Sequence, residues 1–141
     1  MSTSAKKQLR ILISTGHLGT APSNPESFHL GMASDPDYVV ADGGSSDPGP
    51  VYLREELELF LTASRKKGIP LVIGSAGDTG SNRGVDEFVA IMKELAQEHR
   101  IPKFKIGYFY SEVPKEYLQR KLHAGAKLTG LGGFPDLSAE E

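Results

Sequence analysis

The segment Asp42-Gly43-Gly44-Ser45-Ser46-Asp47-Pro48-Gly49-Pro50 concentrates carboxylates and hydroxyls where glycine and proline exclude regular structure. It follows the apolar run Tyr38-Val39-Val40-Ala41, so Asp42 stands at a strand end, where α/β enzymes commonly place acid/base residues or metal ligands. Asp42 and Asp47 are therefore candidate catalytic groups for proton transfer. The amides of Gly43 and Gly44 and the hydroxyls of Ser45 and Ser46 suit the holding of a phosphate or carboxylate. The plainer role of both aspartates is to cap a helix or brace a turn by bonding to backbone amides.

A second loop, Gly74-Ser75-Ala76-Gly77-Asp78-Thr79-Gly80-Ser81-Asn82-Arg83-Gly84, has the same character. Ser75, Gly77, Asp78, Thr79 and Gly80 are candidate substrate contacts, and Arg83 at the following helix start suits a bidentate clamp on an anion. Neither loop carries the Gly-Lys-Ser/Thr ending of a nucleotide-binding P-loop or a clean Gly-x-Gly-x-x-Gly. The Gly-x-Ser-x-Gly spacing of a serine hydrolase is absent around Ser75. His17, in Gly16-His17-Leu18-Gly19-Thr20, suits general acid or base work near neutral pH, against the plainer reading of an exposed turn histidine. Asp42, Asp47 and Asp78 come from separate positions in two loops and make a weak metal set, so no metal is assigned and the cofactor is left open.

These loops need elements to position them. Leu9 to Thr15 reads as a buried strand, Pro25 to Ala33 as a short helix capped by Ser23 or Asn24, and Tyr38 to Ala41 as a second strand. Leu53, Leu57, Phe60, Leu61 and Ser64 recur at helical spacing up to Gly68, with Arg65, Lys66 and Lys67 at the favourable end. Ile69 to Ile73 reads as a third strand, Val85 to His99 as a helix, Phe104 to Tyr110 as a fourth, more exposed strand, and Pro114 to Ala124 as a last helix. Lys127-Leu128-Thr129 adds a possible short strand, and residues 132–141 read as an untied tail. Repeated strand, loop and helix predict a Rossmann-like α/β domain: a three-layer α/β/α sandwich around a mainly parallel sheet of about four or five strands. In such a sheet the loops after the strands share one edge, where ligands bind.

The chain has 141 residues, no cysteine and a formal net charge of −2. That fits one domain, 1–141, with 1–8 and 132–141 flexible. Thiolate chemistry is excluded, and a reducing, cytoplasmic setting is the default. Interspersed charge offers no basic face for nucleic acid, and no apolar run of membrane-spanning length occurs. The partner expected is a small anionic molecule, with a partner subunit or a homo-oligomer as a further possibility.

Ala41 to Leu53, with its Asp-Gly-Gly-Ser-Ser-Asp-Pro-Gly-Pro block, resembles the signature of the acyclic terpene utilisation (AtuA-like) family. Pro36-Asp37-Tyr38-Val39-Val40, Gly68 to Gly77, and Arg120-Lys121-Leu122 leading to Gly130 follow in the same order. Members are several times longer, and this chain resembles their N-terminal region. The resemblance implies a cytoplasmic catabolic role near acyclic terpenes, branched acyl groups or related carboxylates, and it carries no catalytic assignment. Two function classes follow: an enzyme or enzyme subunit acting on a small anionic metabolite, and a non-catalytic binding or assembly module that completes a site with a second polypeptide.

Overall fold

A computed structural model describes residues 8–13, 18, 24–43, 50–77 and 81–138. The chain divides into two compact units, Met1–Tyr110 and Ser111–Glu141. In the first unit β1 (Ile11–Ile13), α1 (Pro25–Ala33), β2 (Tyr38–Asp42), α2 (Pro50–Lys67), β3 (Leu71–Gly74) and α3 (Asn82–Glu98) alternate along the chain. Local chemistry sets the helix ends. The Asn24 side chain accepts from the Ser27 N–H and Pro25 occupies the first turn of α1. Gly68, at φ 72°, closes α2 behind its basic last turn. Ser81 accepts from the Gly84 N–H to open α3.

The strands form one parallel sheet in the order β1-β2-β3, with Leu12 beside Val39 and Val39 beside Leu71. Because the order never reverses, right-handed crossovers carry successive helices over the same face. The side chains agree. Val39 and Ala41 of β2 share a single apolar cluster with Phe28 of α1, Leu57 and Phe60 of α2, and Phe88 and Leu95 of α3, against which Leu12, Leu71 and Ile73 pack. Phe28 lies with its ring centroid 4.8 Å from that of Phe60. The alternate positions look outward, and Ile11, Ile13, Tyr38 and Val72 are 55, 70, 36 and 47 % exposed.

The expected α/β class with a parallel sheet is what the chain adopts, but the sheet has three strands among the described residues, not four or five. Among the described residues of this unit, the helices pack on one face of the sheet. Phe104 to Tyr110, expected as a fourth strand, is neither strand nor helix. Its side chains take contacts elsewhere: Phe104 lies under the Arg65 guanidinium at 5.4 Å, and the Tyr110 hydroxyl donates to Asp86 at 2.5 Å.

The second unit holds α4 (Lys115–His123), which buries no residue; Arg120 and Lys121 lie 5.7 and 5.4 Å from the Tyr117 ring. Lys127 to Thr129 is not a strand. The stretch after it is tied to itself, since Leu137 N–H donates to the Leu128 carbonyl at 3.0 Å and Gly130 N–H to the Asp136 carboxylate at 3.1 Å. Among the described residues no helix is long and apolar enough to cross a membrane.

Candidate functional site

The parallel sheet delivers the ends of its strands to one edge, and the backbone there is tightly tied. Leu18, 2 % exposed, donates its N–H to the Asp42 carbonyl at 2.7 Å, so this residue is anchored on the end of β2. Gly43 N–H donates to the Gly74 carbonyl at 2.7 Å, which joins the end of β2 to the end of β3. A Cβ at residue 43 would stand 3.0 Å from both the Gly74 oxygen and the Ile73 side chain. Gly43 is thus glycine for close packing, and its amide, expected to face an anion, is committed to the sheet. Asp42 itself is half-buried, beside Gly74 in the register.

Beyond β3 the chain turns through Ser75 at φ 50° and Gly77 at φ 81°. A left-handed serine costs on the order of 1 kcal/mol or more and persists only where its surroundings hold it. The turn presses on the helix that follows: a Cβ at residue 77 would lie 2.5 Å from the Gly84 Cα, and one at residue 84 would lie 2.8 Å from the Gly77 Cα. Glycine at both positions lets the first turn of α3 sit against the strand-end loop. Ser81 caps that turn, its Oγ 3.2 Å from the Gly84 nitrogen. Amides and the positive dipole end of α3 are therefore brought to the same edge as Asp42.

Of the residues expected to bind or catalyse, Asp42, Gly43, Ser75 and Gly77 are brought together at this edge. Arg83 lies on the first turn of α3 with its side chain 88 % exposed and Glu87 3.9 Å away. His17, Gly44, Ser45, Ser46, Asp47, Asp78, Thr79 and Gly80 lie outside the described residues. Among the described residues no group of three or more histidine, aspartate or glutamate side chains is gathered as a metal site. His99, the residue that closes α3, meets the Glu58 carboxylate at 2.8 Å with its side chain 37 % exposed.

Two features escape a residue-by-residue reading. Leu18 is an anchor of the first loop, and its signal is a lone large apolar side chain among glycine, histidine and threonine. Arg54 bridges α2 to α3 through Glu94 at 3.1 Å and Glu98 at 2.5 Å, pairs 40 and 44 residues apart that no local spacing announces. No family model, curated protein or solved structure matches the chain.

Proposed function

We propose that this chain is a cytoplasmic small-molecule-binding α/β protein, an enzyme or enzyme subunit, that takes a small anionic metabolite at the C-terminal edge of its sheet. The observation that supports this reading is the pair of bonds Leu18 N–H to Asp42 and Gly43 N–H to Gly74, with Gly77 seated on Gly84, which gather Leu18, two strand ends and one helix start at a single edge. Asp42 is the acid/base residue of the proposal. The resemblance to the acyclic terpene utilisation family supports branched acyl or terpenoid carboxylates as the substrate class. A melting-temperature screen against small carboxylates, phosphates and acyl thioesters tests it. A ligand at about 100 times its Kd adds roughly 2.7 kcal/mol of stability. One anionic class should raise the melting temperature of the native chain, and Asp42→Asn should lose that rise while melting nearly unchanged in its absence. If no anionic compound raises it, the reading fails.

A second reading is favoured by a separate observation. Parallel sheets are ordinarily covered on both faces, yet Ile11, Ile13, Tyr38 and Val72 share an exposed apolar face with no described helix of their own unit on it. An assembly module that completes a site with a second polypeptide accounts for that face. Chain recovered from its native cells should then run above monomer mass by light scattering, and Ile13→Asp should return it to monomer. A monodisperse monomer at native concentration counts against the assembly reading.

A further inference from the structure

Residues 101–110 run along α3 without joining a sheet. Ile101 and Ile106 line a groove with Lys93 and Gln97 of α3, while Tyr110 reaches Asp86 near the other end of that helix, so the stretch travels antiparallel to it. Phe104 and Ile106 are half-buried and Lys105 and Gly107 exposed, a strand-like alternation over four residues that stops at Tyr108, Phe109 and Tyr110, all exposed. Yet residues 102–110 make no backbone–backbone hydrogen bond to any described residue. A strand-like backbone with open N–H and C=O groups is a template for an added strand.

The groove beside it, about 670 Å³, has a particular chemistry. Its apolar wall is Ile101, Phe104 and Ile106, and its rim carries Lys93, Arg100 and Lys103. None of those three cations forms an ion pair with a described residue. We infer that residues 103–110 are the docking edge for an extended segment of a partner polypeptide, apolar where it faces the groove and acidic where it meets the rim. This deepens the assembly reading and rests on it. A second copy of the chain is a poor occupant, because its own 101–110 stretch brings two more lysines and no acid to a cationic rim. A free anionic amphiphile satisfies the rim but leaves the open backbone groups unpaired.

The test uses the full chain and two fluorescein-labelled peptides, acetyl-Glu-Leu-Glu-Leu-Glu-Phe-Glu-amide and its counterpart with lysine in place of glutamate, read by anisotropy and by amide hydrogen exchange. The glutamate peptide should bind saturably, more weakly as salt rises, and should slow exchange at alternate amides within 103–110. Lys93→Glu combined with Lys103→Glu should weaken it at least tenfold while the melting temperature holds. Equal binding of the lysine peptide, protection elsewhere, amides already slow without peptide, or a dimer that protects the same amides would each overturn the proposal. Absence of binding would do so too, and would leave the assembly reading standing, since Ile13→Asp tests that reading on a different surface.

Discussion

Gly77 lies backbone to backbone against Gly84, so close that any side chain at residue 77 would enter the space of the Gly84 Cα, at 2.5 Å. The contact crosses the turn between β3 and α3 and fixes where α3 begins relative to the strand-end edge. Gly77→Ala meets both this backbone and an unfavourable φ of 81°, and should cost on the order of 1–3 kcal/mol in denaturant unfolding. A variant as stable as the native chain would remove the close approach from the account.

The one-sided sheet predicts an asymmetry between substitutions. Phe60 is fully buried and packed on Phe28, so Phe60→Ala should destabilise by about 3–5 kcal/mol. Ile13, 70 % exposed on the opposite face, should tolerate Ile13→Asp in the isolated chain within about 1 kcal/mol. Equal losses at the two sites, measured by urea midpoint, would mean that both faces are packed.

Tyr110 offers a pH signature. Its phenol is pushed up from 10.0 to about 12, first by the hydrogen bond it donates to Asp86, then by desolvation and by the Asp86 charge. The folded value exceeds the unfolded one, so the contact contributes fully below pH about 10 and is lost as pH rises through about 12. Phenolate absorbance should show a late titration step near pH 12, and Tyr110→Phe should remove it. A late step that survives Tyr110→Phe, or none in the native chain, would contradict the bond.

What the sequence disclosed follows the range of the interactions involved. The start of α1 was legible because Asn24 and Pro25 act within a few residues of it. The end of α2 was legible in Gly68, and the parallel sheet in the strand–helix alternation. The fourth strand was not, because Phe104 to Tyr110 alternates like a strand while its anchors, Arg65 and Asp86, lie on other elements. The bare face was not legible either, since it depends on strand order rather than strand content. At the site, Gly43 looked like an anion cradle because a glycine in sequence does not disclose that its amide meets the Gly74 carbonyl.

The central claim is that the strand-end edge holds a small anion, and an amide NMR titration of the full chain with inorganic phosphate and with 3-methylbutanoate tests it most directly. The account predicts saturable shifts that cluster from Asp42 through the loop after β2 and from Ser75 to Gly84, with surface lysines such as Lys66 and Lys127 unmoved. Shifts that scatter over those lysines, or none between residues 42–49 and 75–84, would contradict it.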